Sequence, residues 1–245
     1  MKKALKFLIP LALVVAGLVI WRVQTSTFYY AGTVEATEVD VSAQVSSTIQ
    51  SRPVDEGQAV TQGQVLAILD GSDYRIQQKL AEDDYQRGLK LFQSGSLSTE
   101  NFNHLKSQKE LADLRVDWCT LASPLQATVL TKYHEPGELV VPGTKIFTLA
   151  DLREVWAYFY VPQPVMVQLH YGDKLTAFLP ELKGHDFTGA ITHINDEAEF
   201  TPKNVQTREE RTRLVYAVKV TFPNREGYLK PGMTLETSLT AGRSK

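Results

Sequence analysis

At 245 residues, 43% of them hydrophobic, the chain is long enough for two or three small modules with packed cores and too apolar for a disordered protein. A net charge of −2 and a pI near 6.2 offer no basic face for nucleic acid, and no Lys/Arg run occurs beyond the amino terminus. The lone Cys119 excludes an internal disulfide and reads as a small buried hydrophobe near a helix end.

The first element, residues 1–27, is a membrane anchor or signal segment. Lys2, Lys3 and Lys6 precede an uncharged apolar run from Phe7 to Trp21, and Arg22 follows it. As helix the run rises about 23 Å, short of the roughly 30 Å hydrocarbon core, and Ala4, Leu5 and a snorkelling Lys6 extend it. A cleaved signal peptide is the alternative. No convincing A-x-A site follows the run, and Trp21 with Arg22 reads as an interfacial stop, which favours an uncleaved anchor. Under either reading the leading lysines hold the amino terminus in the cytoplasm and the rest of the chain is exported.

Next comes a repeat. "EGQAVTQGQVLAILD", Glu56 to Asp70, returns as "PGELVVPGTKIFTLA", Pro136 to Ala150, at a fixed offset of 80 residues. The offset superposes Ile49 on Val129, Gly57 on Gly137, Gly63 on Gly143 and Leu69 on Leu149 without a gap. Both copies are strand-like, with β-branched and aliphatic residues in short runs, and Gly57, Gly63, Gly137 and Gly143 supply structural turns. Each copy is half of a small sandwich with pseudo-twofold symmetry, and neither buries its apolar face alone. The pattern resembles the biotinyl/lipoyl domain, split over residues 28–71 and 120–150. That family's carrier enzymes hold a modified lysine at the turn between the halves. Here Asp70 and Gly71 end the first half with no lysine, and about 50 residues intervene, so a biotinyl/lipoyl carrier subunit is the weaker alternative.

The insertion, residues 72–119, reads as an α-helical hairpin. Ser72 is a candidate cap with Asp73 in the first turn. The first helix then runs to about Gln93, with Ile76, Leu80, Leu89 and Phe92 as apolar contacts and Glu82, Asp83, Asp84, Arg87 and Lys90 mostly solvated. "SGSLS" makes the turn, and a second helix from near Ser98 carries Phe102, Leu105, Leu111, Leu114 and Trp118 at helical spacing. Two helices of 21 or 22 residues would project about 33 Å from the sandwich.

This layout resembles the HlyD family of periplasmic adaptor, or membrane fusion, proteins: anchor, half lipoyl domain, helical hairpin, half lipoyl domain, β-barrel. Members that join a TolC-type outer-membrane duct carry at the hairpin tip an Arg, a Leu four residues on and a Ser seven beyond that. In "RGLKLFQSGSLSTENFN", Arg87, Leu91 and Ser98 fall on those spacings. The resemblance implies that Arg87 donates to duct carbonyls or carboxylates, Leu91 packs in a groove, and Ser98 caps the helix or bonds across the tip. Ser47 and Ala127 stand where the family often has Gly, Asn103 where many members have an acid, and the arm is shorter than in many members.

Residues 151–245 read as a small β-barrel, to which the strand 28–40 is a further candidate contributor. "VWAYFYV", "FTGAITHI", "RLVYAVKVTF" and "TLETSLTA" are strands, "VPQPVMVQLHYGDKL" is a short helical or loop passage ending in a turn, and "LKPGM" is a Pro-Gly turn. "EFTPKNVQTREERTRLVYAVKV" resembles the barrel passage of HlyD-type adaptors that serve ABC-type exporters, while "REERTR" on its own charges is a solvated loop.

No catalytic constellation occurs. The histidines, His104, His134, His170, His185 and His193, lack paired ligand spacing. G-x-S-x-G and G-x-x-x-x-G-K-[ST] are absent. With only Met1, Met166 and Met233, a methionine-based metal relay is poorly supported. The expectation is a mainly β protein with an α-helical hairpin, with neither cofactor nor metal, and not an enzyme. It would be anchored to the inner membrane in the periplasm and link an ABC-type or other exporter to a TolC-type duct. It would self-associate as a trimer or hexamer. The rival is an envelope scaffold or ligand-binding protein that never contacts a duct.

Overall fold

The computed structural model describes residues 29–182, 184–200 and 214–239. The predicted anchor, residues 1–27, and the "REERTR" loop lie outside the described residues. Among those described, no helix is long and apolar enough to cross a membrane. The chain divides into two units, Ala36–Arg153 and the residues on either side of it.

In the first unit the repeat folds on itself. Most of β1 (Tyr30–Ser42) leads into β2 (Ser47–Ser51), β3 (Ala59–Val60) and β4 (Val65–Leu69). Two helices follow, α1 (Ser72–Gln93) and α2 (Thr99–Asp117). The second copy supplies β5 (Thr120–Ala122), β6 (Ala127–Lys132), β7 (Leu139–Val140) and the start of β8 (Lys145–Pro162). The halves pair crosswise: Thr48 in β2 lies opposite Leu139 in β7, and Ala59 in β3 opposite Thr128 in β6, the same pair under the offset. The Gly57 N–H donates to Val129 O at 2.8 Å, and the Gly137 N–H to Ile49 O at 2.8 Å. Likewise the Gly63 N–H donates to Ser123 O and the Gly143 N–H to Ala43 O. Ile49, Leu66 and Leu69 from one half meet Val129, Ile146 and Leu149 from the other in one core that excludes solvent. Each half thus removes the apolar face of its twin from water.

Cys119 is buried in this core, and its burial pushes the thiol pKa up. Tyr74 and Trp118, at the base of the helices, pack against the core, and the Tyr74 hydroxyl donates to Ser46 O at 3.0 Å.

The helix starts correct one expectation. Ser72 is the first residue of α1 and not its cap; Gly71 holds the cap position without a side-chain bond. The acceptor is instead Asp70, whose Oδ1 receives the Ser72 N–H at 3.0 Å and the Ser72 hydroxyl at 2.6 Å. A carboxylate two residues upstream outcompetes a hydroxyl because its full charge makes the stronger acceptor, and the Ser72 hydroxyl and N–H hold the Asp70 pKa below the usual carboxylate range. At α2 the cap is Ser98, whose Oγ accepts from the Asn101 N–H at 3.3 Å. The helices are 22 and 19 residues long, so the second is shorter than expected.

The second unit is a closed barrel. It comprises the second half of β8, the short α3 (Gln163–Met166), β9 (Lys174–Phe178), β10 (Asp186–Ile194), β11 (Glu199–Phe200), β12 (Leu214–Pro223) and β13 (Thr234–Thr237). Strands run β12-β10-β9-β13-β1-β8, and a β8–β12 pairing closes the circle. The first residues of β1, Tyr30–Thr33, pair with β13. Alternation places Val155, Ala157, Phe159 and Val161 of β8 inside, opposite Phe222, Val220 and Val218 of β12. The strand β9, "KLTAF", had no place in the sequence reading, because Lys174 and Thr176 leave it only two apolar positions pointing inward.

Candidate functional site

The helical arm is held by a seam whose spacing alternates between three and four residues. On α1 the contacting positions include Gln78, Glu82, Tyr85, Gly88 and Phe92; on α2 they include Phe102, Leu105, Lys109 and Asp113. The tip end is apolar: Phe92 stacks on Phe102 with ring centroids 4.6 Å apart, and Tyr85 lies 5.6 Å from the same ring. Gly88 is there for close approach, since a Cβ would lie 2.3 Å from Leu105 Cδ1. Further down, the seam turns polar. The Gln78 amide donates to Asp113 at 2.8 Å, and Lys109 Nζ reaches Asp113 at 2.6 Å and Glu82 at 3.5 Å. Lys109 first, then Gln78, holds the Asp113 pKa low.

Two apolar contacts read from the sequence are corrected here. Ile76 and Leu80 are exposed, as are Leu111 and Leu114 on the other helix. Glu82, read as solvated, is in the seam. The spacing that carries the interface falls on polar residues, so an apolar stripe picks out the wrong face.

At the free end, Ser94 closes α1: its N–H donates to Lys90 O at 3.1 Å, the Gly95 N–H to Phe92 O at 3.0 Å, and the Ser94 hydroxyl to Leu91 O at 2.9 Å. Gly95 at φ +73 lets the Ser96 N–H return to Leu91 O. Arg87 and Leu91 point outward, one turn apart on one face of α1. The Arg87 side chain is 66% exposed and pairs with Asp84, and Leu91 is 49% exposed. Ser98 lies across the turn with its Oγ engaged in the cap. The structure therefore brings Arg87 and Leu91 together and gives Ser98 a separate, local task. Gly57, Gly63, Gly137 and Gly143 lie in the sandwich turns, at φ between +80 and +97. Among the described residues no group of three His, Cys, Asp or Glu side chains is placed to hold a metal.

Residues 37–151 match the CzcB-like barrel-sandwich hybrid domain, and residues 154–243 the CusB-like beta-barrel domain. The chain belongs to the periplasmic adaptor, or membrane fusion, family. Members are non-catalytic. The adaptor is 39% identical over 127 residues to a UPF0194 membrane protein of Acidithiobacillus ferridurans, an alignment covering 52% of this chain and 36% of that one. The adaptor thus spans about a third of that relative's length. It is 25% identical to a UPF0194 membrane protein of Citrobacter koseri, over 82% of this chain and 85% of the relative. It shares its fold with a membrane fusion protein from Streptococcus pneumoniae R6, with a TM-score of 0.62 at 18% identity over 85% of this chain and 96% of that one.

What the adaptor's sequence concealed is the mid-arm network of Gln78, Glu82, Lys109 and Asp113. One signal could have found it: Tyr74, Gln78, Ala81, Tyr85, Gly88 and Phe92 repeat at four and three residues, as do Phe102, Leu105, Lys109, Ala112 and Val116.

Proposed function

We propose that this adaptor works in the periplasm, held to the inner membrane by residues 1–27, and links an ABC-type exporter to a TolC-type outer-membrane duct for efflux or secretion. It acts by assembling as a trimer or hexamer and not by catalysis. Its energy comes from the exporter, to which the barrel and the anchor dock. The observation that carries this reading is the tip: Arg87 and Leu91 stand outward on one face while the surrounding backbone groups are satisfied within the turn. A guanidinium beside an exposed leucine suits a groove that offers carbonyls or carboxylates next to apolar surface. A single tip has little contact area, so several arms acting together supply the affinity.

Single cysteines at Leu91 and at Ser98, in a Cys119→Ser background, test this by crosslinking in cells. Capture of an outer-membrane duct, lost on Arg87→Glu at unchanged protein level, supports the assignment. The arm's helices of 22 and 19 residues favour one rival, an envelope scaffold that never meets a duct. Capture of periplasmic proteins or of the chain itself, with no duct, would establish that rival.

A further inference from the structure

The arm leaves the sandwich without slack. Only Asp70 and Gly71 separate β4 from α1, and only Trp118 and Cys119 separate α2 from β5. Those two strands pair with each other, Ile68 opposite Thr120, and the Leu69 N–H donates to Cys119 O at 2.7 Å, so both helices start from one held edge. Gly71 is no hinge: its φ is −89, and a Cβ there would lie 3.1 Å from Arg75 Nη1 and 3.3 Å from Cys119 Sγ. From the other side, β2 and the residue before it grip the start of α1. The Ser47 hydroxyl donates to Asp70 O at 2.7 Å, the Asp70 N–H to Thr48 O at 2.8 Å, and the Tyr74 hydroxyl to Ser46 O at 3.0 Å. Ser47 is buried with its hydroxyl satisfied, and the Tyr74 ring packs on the core.

The repeat assigns these hydroxyls to the arm and not to the sandwich. The 80-residue offset carries Ser47 to Ala127, Asp70 to Ala150 and Tyr74 to Glu154. In the second copy the chain runs straight on as β8, and neither hydroxyl is present. Val129 nonetheless lies opposite Leu149 as Ile49 lies opposite Leu69, so the strands pair without them. We propose that Ser47 and Tyr74 are positioning residues that latch the base of the arm and fix its direction, so that the tip is presented at a set place instead of swinging. Leverage makes the base the place to act. A tilt of about 10° at the start of the 22-residue α1 would carry its far end about 6 Å, enough to take Arg87 and Leu91 off a partner. A tip already held in place meets that partner without the cost of ordering it on contact. The consequence at the duct rests on the proposed function; the fixed direction of the arm does not.

The test measures the arm's direction in the full chain in detergent, by the distance between spin labels on Gln62→Cys in the sandwich and Glu100→Cys near the tip. Labelled chain is diluted into unlabelled chain so that each distance lies within one copy, and Cys119 stays in place because it is buried. The parent should give one narrow distribution. Ser47→Ala with Tyr74→Phe should about double its width, because the base loses two of the bonds that hold it. Gly57→Ala, which destabilises a turn of the same sandwich, should leave the width unchanged. Duct capture in cells at Leu91→Cys, in a Cys119→Ser background, should fall severalfold in the double variant at equal protein level. An unchanged width in the double variant, or equal widening by Gly57→Ala, overturns the latch. Widening with undiminished capture overturns its role in presenting the tip. No capture even with the latch intact, and widths as expected, upholds the latch and overturns the duct contact.

Discussion

Arg52 and Lys132, 80 residues apart, hold the same two carboxylates. Arg52 reaches Asp55 at 3.2 Å and Glu135 at 3.0 Å; Lys132 reaches Asp55 at 3.1 Å and Glu135 at 2.9 Å. The offset maps Arg52 onto Lys132 and Asp55 onto Glu135, so the four charges form a ring that the pseudo-twofold axis carries into itself. The ring joins the two halves of the sandwich. Its members are unequal: the Arg52 side chain is 9% exposed and also donates to Val54 O at 2.5 Å, whereas both carboxylates are more than half exposed.

Arg52→Met should therefore cost more than Lys132→Met. The guanidinium links a backbone carbonyl and two carboxylates from a buried position, and losing charged hydrogen bonds of this kind costs about 2 kcal/mol. Urea unfolding followed by tryptophan fluorescence measures both variants. Equal losses would mean that burial of Arg52 contributes nothing.

The same ring sets an acid limit. Lys132 leads in lowering the pKa of both Asp55 and Glu135. A carboxylate whose folded pKa is lowered adds stability that is fully present above its unfolded pKa, about 4. That stability is lost as pH falls through the folded value. Lys132 is raised, chiefly by Glu135, so its contribution is lost as pH rises beyond about 10.5. Melting temperature should fall on both sides of that window, and Asp55→Asn with Glu135→Gln should flatten the acid limb. An acid limb unchanged in the double variant would assign it to other carboxylates.

Gly57 and Gly137 occupy equivalent turns at φ +80 and +97, and a Cβ at either meets nothing within 4 Å. The cost of alanine there is conformational alone, about 1–2 kcal/mol at each site. Asparagine, which tolerates the left-handed region, should recover part of it. Denaturant midpoints of the single variants check this, and an alanine variant as stable as the parent would refute it.

Gly88→Val should loosen the arm near its tip. The new side chain meets Leu105 in the seam, and overpacking of this kind costs about 1–3 kcal/mol. Hydrogen exchange of α1 and α2 amides should rise while the sandwich core is unchanged. Leu105→Ala in the same chain should return part of the protection, because it vacates the space the valine needs.

The repeat was legible because identical backbone tasks demand identical residues. A turn that needs positive φ favours glycine at Gly57 and again at Gly137, and a strand buried on one face needs Ile49 and again Val129. The hairpin was legible as two helices around "SGSLS", since Ser98 and Gly95 are local devices that act within a few residues of themselves.

Which face each helix turns inward was not legible, because it depends on what stands opposite. Lys109 enters the seam only because Asp113 and Glu82 are within reach, and Leu80 turns outward because Gln78 and Glu82 take the inner positions. The strand β9 is similar: its two inward residues, Leu175 and Ala177, signal little until β10 and β13 pair with it. Local backbone chemistry thus determined the order of elements and the twofold repeat from the sequence by itself. Partnerships between segments distant in the chain, the ionic seam, the Arg52–Lys132 ring and the closure of the barrel, were decided by tertiary structure, because a charge or a short strand is stabilised only by the neighbour that folding brings to it.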